Sequence, residues 1–584
     1  MCGIIGYTGS ENAVPIVIVG LKKLEYRGYD SAGVAYYHKD KIEVIKRKGR
    51  IAELEQHIKS TPSINCGIGH TRWATHGEPS DTNSHPHTGS GNRVAVVHNG
   101  IIENYKQLKS RLESKGVVFS SQTDSEVIAQ LAEYYYNGDM LETVIKVSNR
   151  LEGSYALGII FHDNPDTIIA VKKDNPLIIG ISEHGNFIAS DIPAVLNHTN
   201  QVCYLDDKEI AVLSKDSVEF YNFDRELLTK PPETITWSMD SAEKGGYSHF
   251  MMKEIMEQPK ILRDTIKSVN SAKTLENFDI SVYNKIVITA CGSAYNAGVA
   301  AKYVFERLCR FPCIEVELAS EFRYKDAVID DKTLVILISQ SGETADTIAA
   351  MREAKSKSAT TLAIVNVVGS TIAKEADYCI YTAAGPEIAV ATTKAFSAQL
   401  VVLYMLAVKF SGKHDELLQE IEQIPDKVAA ILEQIDNVQK YAAACIGYHS
   451  IFFIGRNIDY AIALEGSLKL KEISYIHSEA YAGGELKHGT ISLIEDNTLV
   501  VAIANCERLH SKIMSNVEQV ASRGAKTVVI GNTPNCDIAL PQIHELFSPS
   551  LSVIVLQLFA YYVAANKGLD IDKPRNLAKS VTVE

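Results

Sequence analysis

A pattern of strand, small-residue turn and helix recurs along the second half of this 584-residue chain. Apolar runs at 285–290 and 333–338 are each followed by a turn rich in Gly and Ser and then by a helical pattern. The same order begins again at 450–454. Strands that alternate with helices predict a parallel sheet covered on both faces, and the restart predicts two copies of one α/β domain. Between the copies, 416–441 has the period of one long amphipathic helix.

Residues 2 to about 225 follow a different pattern, in which short apolar strands are separated by Gly, Asp and Asn turns. Two helical patterns, 104–115 and 125–136, interrupt the strands, and Asp124 is placed to cap the second one. This predicts an α+β domain in which strands dominate. A polar stretch at 230–246 contains two consecutive prolines and has the composition of a linker.

The composition excludes several classes of protein. A net charge of −13 argues against a nucleic-acid binder, because a phosphate backbone recruits Lys and Arg. The ten cysteines show no pairing rhythm, so we expect reduced thiols and a cytoplasmic location. Cys309 and Cys313 are close together, but no second pair has zinc-ligand spacing. The N-terminus does not resemble a signal peptide, and the apolar run 551–565 is shorter than the ~20 residues of a membrane span, so we expect a buried helix there.

The first candidate for chemistry is Cys2, which directly follows Met1. Removal of a methionine before a small residue would leave a cysteine that carries a thiol and an α-amine together. The amine has a pKa of about 8 and can act as the local base for the thiol. Alone, the Met-Cys-Gly start does not overturn the interpretation that Cys2 is an ordinary first residue.

Further motifs supply the groups that glutamine hydrolysis needs. They are the turn-rich segment 26–33, the segment 69–77 with an arginine and an indole at a strand end, His98-Asn99-Gly100 and Thr123-Asp124. Arg72 can pair with the α-carboxylate of glutamine through two parallel hydrogen bonds, and Asp124 can bind the α-ammonium. The amide of Asn99 and the backbone N–H of Gly100 can stabilise a developing oxyanion.

Residues 2–240 therefore resemble the glutaminase domain of N-terminal-nucleophile (Ntn), class II glutamine amidotransferases. The Cys, Arg, Asn-Gly and Asp positions of that family match Cys2, Arg72, Asn99-Gly100 and Asp124. The resemblance implies that Cys2, Asn99 and Gly100 are catalytic. The glutamine-binding residues that it implies are Arg72, Trp73, Thr75, His76, Gly100 and Asp124.

Histidines in the same region raise the alternative of a metal site. They are His70, His76, His85, His87 and His98. Their spacings match no familiar metal motif, and histidines at strand ends are commonly hydrogen-bonded without a metal. We therefore expect structural histidines and no metal site.

The segment Ser339-Gln340-Ser341-Gly342-Glu343-Thr344 follows a buried strand and opens a helix. Hydroxyl and backbone N–H groups at a helix N-terminus bind anions without net positive charge. One such segment would favour a plain helix cap, but a second Gly/Ser turn, Cys291-Gly292-Ser293, occurs in the same context. The two turns together predict a phosphate pocket.

Three more features lie further along the chain. Lys469 and Glu472 are three residues apart and share one helix face, which is also the spacing of a surface ion pair. His488 lies in a glycine-bounded loop, where an imidazole can reach a substrate and titrate near neutral pH. The tail 572–584 carries Pro, Leu and two valines, as a packed tail does, so Lys579 is a candidate for a buried amine that forms a Schiff base.

These features and the paired α/β domains resemble the sugar isomerase (SIS) domains. Joined to the glutaminase, they resemble the isomerizing glutamine–fructose-6-phosphate aminotransferases. The expected organisation is an α+β Ntn glutaminase domain at 1–240, two α/β SIS domains with parallel sheets at 241–425 and 430–574, and an active-site tail at 575–584. The resemblance implies conversion of D-fructose 6-phosphate and L-glutamine to D-glucosamine 6-phosphate and L-glutamate, the first step of hexosamine synthesis.

The resemblance also implies roles for single residues. His488, donated by the second subunit of a homodimer, would assist ring opening, and Lys579 would trap the open ketose as an imine. Glu472 would then move a proton between C1 and C2, assisted by Lys469. Ala294 stands where many relatives have Ser, so one hydroxyl contact to the sugar is in question. The sugar-phosphate contacts that the resemblance implies are Ser293, Ser339, Gln340, Ser341, Thr344, Val390, Ala391 and Ala578.

Ammonia is expected to travel from Cys2 to the sugar through an internal channel gated by Trp73. A dry passage suits this transfer, because free ammonia in water at neutral pH is mostly ammonium, which is not nucleophilic. No step of the implied reaction requires a metal, nucleotide or redox cofactor. Neither a nucleic acid nor a membrane is expected as a partner.

Two other functions fit parts of the sequence. Another glutamine amidotransferase would need a different synthase site, but the chain has no ATP-pyrophosphatase loop of the Ser-Gly-Gly-x-Asp type. Its acidic pair Asp330-Asp331 precedes a strand, whereas a phosphoribosyltransferase needs such a pair after one. A catalytically silent sugar-phosphate sensor would share the same domains. The joint presence of Cys2, Glu472, His488 and Lys579 argues against a sensor.

Overall fold

A computed structural model of the chain divides into two units. The structure describes residues 2–58, 63–235, 244–275, 278–412, 415–445, 447–533 and 535–583. The first unit comprises Met1–Ala242 and Ala578–Glu584, and the second comprises Glu243–Leu577. Residues 236–243, about half of the sequence expected to be a linker, lie outside the described residues.

Strands dominate the first unit, as the sequence predicts. Its strands are β1 (Gly3–Gly9), β2 (Ser31–His38), β3 (Lys41–Lys48), β4 (Cys66–Arg72), β5 (His87–Thr88), β6 (Val94–Ile102), β7 (Gly153–Phe161), β8 (Asn164–Lys173), β9 (Ile178–Ser182), β10 (Gly185–Ala189), β11 (Gln201–Tyr204), β12 (Glu209–Leu213), β13 (Val218–Asn222), β14 (Leu227–Leu228) and β15 (Glu233–Thr234). Its helices are α1 (Ala13–Leu24), α2 (Ile51–Glu55), α3 (Tyr105–Glu113), α4 (Glu126–Tyr135) and α5 (Met140–Ser148).

Two antiparallel sheets form the centre of this unit. One has the strand order β15-β11-β9-β10-β1-β4-β2-β3 and the other β14-β13-β12-β8-β7-β6-β5. Side chains alternate across each strand, so Ile4 of β1 packs between the two sheets with Ala95, and Ile5 packs against Val17 of α1. Helices α3 to α5 cover the outer face of the second sheet. The result is a layered helix–sheet–sheet–helix arrangement.

The second unit alternates strands and helices. Its strands are β16 (Lys285–Ala290), β17 (Cys313–Leu318), β18 (Thr333–Ser339), β19 (Thr360–Val365), β20 (Tyr378–Tyr381), β21 (Ser450–Gly455), β22 (His477–Ala482), β23 (Leu499–Ile503), β24 (Lys526–Gly531) and β25 (Ile538–Ala539). Its helices are α6 (Phe250–Met256), α7 (Gln258–Asn270), α8 (Gly292–Leu308), α9 (Ala319–Phe322), α10 (Ala345–Ser356), α11 (Thr371–Glu375), α12 (Lys394–Ser411), α13 (Asp415–Glu422), α14 (Ile424–Leu432), α15 (Ile435–Ala443), α16 (Ile458–Ser474), α17 (His510–Ala521) and α18 (Pro549–Asn566).

The second unit contains two parallel five-stranded sheets with the same topology. Their strand orders are β17-β16-β18-β19-β20 and β22-β21-β23-β24-β25, which is order 2-1-3-4-5 in each case. All strand pairs within them are parallel. The prediction of two copies of one α/β domain is therefore confirmed. In such a sheet the crevice at the carboxyl ends of the first and third strands is the usual ligand site, and here that crevice lies after β16 and β18.

Helices α12 and α18 are apolar and lie in a hydrophobic core that both sheets share. Each is long and apolar enough to cross a membrane. However, 83% and 94% of the residues in their most apolar 18-residue stretches are buried inside the protein. Burial of this extent is typical of core helices. The expectation of a buried helix at 551–565 is confirmed by α18.

The single long helix expected at 416–441 is wrong. The segment forms three shorter helices, α13, α14 and α15. Pro425 lies in the first turn of α14, and a proline lacks the N–H that a continuous helix would use there. Period alone identified neither this interruption nor the second one, between α14 and α15.

A stack of four buried histidines lies inside the first unit. The ring centroids of His70 and His85 are 4.1 Å apart, those of His85 and His87 4.6 Å, and those of His85 and His98 6.3 Å. Burial lowers the pKa of each ring, and that of His70 falls to about 3. The stack is therefore neutral in the folded protein at neutral pH.

We predict that mild acid destabilises the first unit. In the unfolded chain each histidine has a pKa of about 6.5, so below that pH the unfolded state binds more protons than the folded state. Stability that is present above about pH 6.5 is lost as the pH falls, by up to about 1.4 kcal/mol per histidine and pH unit. Urea unfolding of the full chain, followed by hydrogen exchange in the first unit, should show a lower midpoint at pH 5.5 than at pH 7.5. Equal midpoints at both values would contradict a neutral stack.

Candidate functional site

The pairing of β1 with β4 places Cys2 beside the end of β4. Gly3 lies opposite Thr71 in the antiparallel register, so the residue before Gly3 reaches the segment after Arg72. The N–H of Trp73 donates to Cys2 Sγ over 3.4 Å, and the thiol donates to the carbonyl oxygen of Trp73 over 3.5 Å. The thiol is therefore held at a strand end, next to the segment that the sequence singled out for its arginine and indole.

The backbone of Cys2 is fixed by two side chains. Arg27 Nε donates to the Cys2 carbonyl oxygen over 3.2 Å, and Asn99 Nδ2 donates to the same oxygen over 3.1 Å. Arg27 in turn pairs with Asp191 at 3.0 Å. The sequence motif 26–33 drew attention to this region, but it gave no role to Arg27 or Asp191, because their partners are distant in sequence.

Burial raises the pKa of the Cys2 thiol above its ordinary value. The resting group is consequently a thiol rather than a thiolate at neutral pH, and it needs a base before it can attack a carbonyl. The α-amine of Cys2 would be such a base only after removal of Met1, which lies outside the described residues.

Asn99 and Gly100 lie in β6, with the Asn99 side chain directed at the first residues of β1. Besides the Cys2 carbonyl, Asn99 Nδ2 also donates to Ser190 Oγ over 2.8 Å. Gly100 has a φ of +132°, and a Cβ there would lie 2.0 Å from the carbonyl oxygen of Ser154. Glycine is therefore required at this position for both conformation and space. The Asn99 amide thus contacts the residue that carries the thiol, and a glycine N–H follows it in the chain, which is the composition of an oxyanion site.

Arg72 is buried and binds the loop that follows it. Its guanidinium donates to the carbonyl oxygens of His76 over 2.5 Å and of Gly77 over 2.9 Å. This loop also contains Thr75. The guanidinium thus fixes the loop as well as providing positive charge near the thiol.

Asp124 is only 2% exposed, and it does not cap α4 as the sequence suggested. Ser125 occupies the cap position, and the Asp124 carboxylate accepts from Ile102 N over 2.8 Å instead. Its other oxygen lies 3.9 Å from His76 Nδ1. Arg72 and Asp124 therefore both approach the 75–77 loop, and they offer opposite charges to a zwitterionic substrate.

The histidines of this unit are hydrogen-bonded to neighbouring groups. Over the part of the chain that the structure describes, no group of three or more His, Cys, Asp or Glu side chains is arranged to hold a metal ion. The rings instead bond to neighbouring groups: His98 Nδ1 lies 2.8 Å from Ser125 Oγ, and His87 Nε2 lies 3.0 Å from Thr123 Oγ1. His76 lies outside the stack, edge-on to Tyr105.

In the second unit, the loop after β18 forms a small cup at the start of the following helix. Ser339 Oγ accepts from Gly342 N over 3.0 Å and lies 3.0 Å from Thr344 Oγ1. Ser341 Oγ accepts from the N–H of Glu343 over 3.2 Å. The φ of Gly342 is +65°, and a Cβ there would lie 2.0 Å from Ser370 Oγ. The tight turn and close approach together require glycine.

Hydrogen bonds to helix α11 hold this loop in place. Glu343 accepts from Thr371 N over 2.7 Å and from Thr371 Oγ1 over 2.9 Å. The N–H of Ile372 donates to the carbonyl oxygen of Gly342 over 3.0 Å. The N–H of Asn366, which follows β19, donates to the carbonyl oxygen of Gln340 over 3.1 Å. The hydroxyl and N–H groups of the loop are therefore preorganised, as an anion site requires.

A line of buried polar groups joins the turn after β16 to helix α16. Ser293 Oγ donates to Glu465 over 2.9 Å, and Asn296 Nδ2 donates to the other oxygen of that carboxylate over 2.9 Å. Lys469 Nζ lies 3.4 Å from Glu465 and 2.6 Å from Glu472. Lys469 is fully buried, so the pair with Glu472 is not the surface ion pair that its spacing also allowed.

The charges in this line are held by one another. Burial lowers the pKa of Lys469, but the carboxylates of Glu472 and Glu465 outweigh that effect and the net shift is upward. Burial raises the pKa of Glu465, and Lys469 only partly opposes it. Lys469 is thus a fixed ammonium between two carboxyl groups. Glu465 was missed by the sequence analysis, although it lies one helical turn before Lys469 and its spacing could have indicated it.

The loop that contains Val390 and Ala391 is held by buried acids. Glu254 accepts from Ile388 N over 2.5 Å and from Ala389 N over 3.1 Å. The N–H of Val390 donates to the carbonyl oxygen of Asp572 over 3.0 Å. These contacts fix the backbone of the 388–391 segment within the second unit.

The two remaining candidates are more exposed than the others. His488 ends a short 3-10 helix, Glu485–His488, and is exposed. Lys579 is half-buried, so the expectation of a fully buried amine is wrong. The tail does pack, since Thr582 is 2% exposed and its hydroxyl donates to Asn175 Oδ1 over 2.8 Å. Ala578 and Lys579 belong to the part of the tail that clusters with the first unit.

Comparison with known proteins agrees with this division. The sequence matches the glutamine amidotransferase domain family over residues 70–197 and the SIS domain family over 279–409 and 446–567. The second half is similar to the C-terminal domain of glucosamine-fructose-6-phosphate aminotransferase from Francisella tularensis, with 38% identity, a TM-score of 0.53 and coverage of 56% of this chain and 99% of that one.

Relatives match over the full length. Proteins named glutamine–fructose-6-phosphate aminotransferase (isomerizing) are 53% identical in Clostridium acetobutylicum, 49% in Aquifex aeolicus and 45% in Methanosarcina acetivorans. In each comparison the match covers 100% of both chains. The chain belongs to the isomerizing glutamine–fructose-6-phosphate aminotransferase family, with a glutamine amidotransferase domain followed by two SIS domains.

Proposed function

We propose that this chain converts D-fructose 6-phosphate and L-glutamine to D-glucosamine 6-phosphate and L-glutamate. One observation carries the proposal: a single chain combines a cysteine whose carbonyl accepts from the Asn99 amide with a phosphate-type loop and a carboxyl–ammonium pair around the buried Lys469. The first set suits hydrolysis of an amide, and the second suits proton transfer on a bound sugar phosphate.

In the proposed glutaminase step, Cys2 Sγ attacks the side-chain amide carbon of glutamine. The thiol proton passes by way of the α-amine of Cys2 to the departing nitrogen, which leaves as ammonia. Asn99 and Gly100 would stabilise the oxyanion of the tetrahedral intermediate. Water then cleaves the thioester and releases glutamate. The raised pKa of the Cys2 thiol supports the need for a base at this step.

Binding of glutamine would use the charges around the 75–77 loop. Arg72 would pair with the α-carboxylate and Asp124 with the α-ammonium, while Thr75 and His76 would complete the pocket. The opposite charges and burial of Arg72 and Asp124 support this assignment. The role of Trp73 as gate of an ammonia channel rests on the sequence resemblance and on its contact with the Cys2 thiol.

The sugar phosphate would bind at the carboxyl ends of β16 and β18. Its phosphate would lie in the cup after β18, and its hydroxyls would meet the turn after β16 and the 388–391 segment. The proposed phosphate contacts are Ser339, Gln340, Ser341 and Thr344, and the proposed sugar contacts are Ser293, Val390, Ala391 and Ala578. The preorganised loop hydroxyls support the phosphate assignment.

The amino-transfer steps would follow from the sequence resemblance. His488, from a second copy of the chain, would assist ring opening, and Lys579 would condense with the C2 carbonyl to form an imine and release water. Ammonia would displace the lysine, and Glu472 would move a proton from C1 to C2. The fixed ammonium of Lys469 beside Glu472 would stabilise the negative charge that builds on the sugar oxygen.

We further propose a cytoplasmic homodimer with the domain limits 1–240, 241–425, 430–574 and a tail at 575–584. The matched SIS segments, 279–409 and 446–567, fall inside the second and third of these ranges.

We predict that Cys2→Ala lowers glutamine-dependent synthesis by about 10³-fold or more, because the nucleophile is lost. Isomerisation of fructose 6-phosphate to glucose 6-phosphate should continue, since it does not use the Cys2 thiol. The measurement is product formation by coupled assay for both reactions. Cys313→Ala removes another half-buried thiol and serves as the control. Loss of isomerisation in Cys2→Ala but not in Cys313→Ala would contradict the proposal that the two reactions use separate sites.

We predict that Lys579→Ala and Lys579→Arg both retain basal glutamine hydrolysis and make no amino sugar. Arginine keeps the positive charge but forms no imine under these conditions. Borohydride reduction of the wild-type enzyme with fructose 6-phosphate should attach the sugar to the tail peptide that contains Lys579, as read by mass spectrometry. Normal amino-sugar yield from either variant would rule out the imine step.

A further inference from the structure

His70 lies in β4, fully buried, and its Nε2 faces two oxygen atoms. The carbonyl oxygen of His98 is 2.9 Å away, and Asn99 Oδ1 is 3.1 Å away. A backbone carbonyl only accepts hydrogen bonds, so Nε2 must carry the proton. His70 therefore donates one forked hydrogen bond, and its Nδ1 holds the lone pair. Consistently, Nδ1 is buried with no hydrogen-bond partner among the described residues.

The orientation of the Asn99 amide follows from this tautomer. Its Oδ1 faces the His70 N–H, and its Nδ2 faces the carbonyl oxygen of Cys2 at 3.1 Å. A flipped amide would bring Nδ2–H against Nε2–H and Oδ1 against the Cys2 oxygen. Both contacts would be repulsive in a site shielded from water. The two ends of the side chain therefore specify one orientation, with the N–H groups toward the backbone carbonyl of Cys2 and toward Ser190 Oγ, 2.8 Å away.

We propose that His70 is a positioning residue for glutamine hydrolysis, which fixes the Asn99 amide so that its N–H groups face the oxyanion. This inference rests on the proposed function of the first unit. His70 itself would not touch the substrate. Its contribution is that the oxyanion donor needs no reorientation when charge develops, and such preorganisation is a large part of electrostatic catalysis.

The surroundings of His70 suit a neutral donor of fixed tautomer. The ring of His85 stacks on its face with a centroid distance of 4.1 Å, and in the ring plane Nδ1 is buried with no hydrogen-bond partner among the described residues. Burial also lowers the pKa of His70 to about 3, so the ring does not become a cation in the physiological range. A charged ring would bury an unpartnered Nδ1–H as well as a charge.

A pair of amide substitutions tests the proposal. Gln places its side-chain N–H about where the imidazole has Nε2, whereas Asn reaches only about as far as Nδ1. We expect His70→Gln to keep kcat for glutamine hydrolysis within about threefold of wild type. His70→Asn should lower kcat by about 10- to 100-fold. This fall is no larger than the fall in kcat expected when an oxyanion donor itself is removed. KM for glutamine should stay within about threefold in both variants, because Arg72 and Asp124 are unchanged.

A second readout separates positioning from general damage. Iodoacetamide alkylates the Cys2 thiol without forming an oxyanion, so its rate should be the same within about twofold in wild type, His70→Gln and His70→Asn. His87→Gln, which alters another ring of the same stack with no bond to Asn99, is the matched control and should keep kcat. Both His70 variants retain a polar side chain, and circular dichroism checks their folding.

The possible results distinguish failure of the positioning role from failure of the proposed function. Equal kcat in His70→Gln and His70→Asn, or a parallel fall in alkylation rate, would overturn the positioning role. A fall of kcat in His87→Gln as large as that in His70→Asn would also overturn it, because the effect would then belong to the stack. Wild-type enzyme that hydrolyses no glutamine would instead refute the proposed function, and this inference with it. Wild-type hydrolysis with unaffected variants would refute this inference alone.

Discussion

The hydrogen bonds between β1 and β4 decide where the reactive groups of the first unit lie. With Gly3 opposite Thr71, the residue before β1 meets the residue after β4, which brings Cys2 to Trp73. A shift of one residue would turn every side chain of β1 to the opposite face. Because Gly6 of β1 leaves no room for a side chain beside Ile188, a shift that placed Ile5 or Tyr7 there would be strongly unfavourable. The register of a packed strand thereby fixes the position of a terminal residue that would otherwise be mobile.

In the second unit, the strand order decides where the candidate site lies. Strand order 2-1-3-4-5 leaves a crevice at the carboxyl ends of β16 and β18, and the loops after these two strands are the ones rich in Gly and Ser. The second copy of the fold has the same strand order, but its corresponding loops read Arg456-Asn457 and Asn505-Cys506. One fold therefore presents two different edges, and only the first has the hydroxyl-rich loop of an anion site.

Parts of the sites that depend on local sequence were predictable. Gly342 has a positive φ and a hydroxyl-rich neighbourhood, and both follow from its six-residue segment. Contacts between distant segments were not predictable, and they changed several assignments. Asp124 bonds to Ile102 in another strand instead of capping its own helix. Lys579 is half-buried because packing of the tail leaves it at a partly open position, which composition cannot show. Glu465 gains its role only when Ser293 approaches it.

The groups beside the reacting atoms differ in charge between the two units, and the difference fits their chemistry. In the first, burial keeps the four stacked histidines neutral and the Cys2 thiol protonated, so these groups act as dipoles of fixed direction, while the buried charges of Arg72 and Asp124 lie at the 75–77 loop. In the second, a buried ammonium lies between two carboxyl groups, an arrangement that offsets the large desolvation penalty of Lys469 only because each charge has a partner. Amide hydrolysis through a thioester needs donors aimed at a transient oxyanion, which neutral dipoles supply. Proton movement along a sugar needs a carboxyl group held in a fixed position, and the contact of Glu472 with Lys469 at 2.6 Å supplies that.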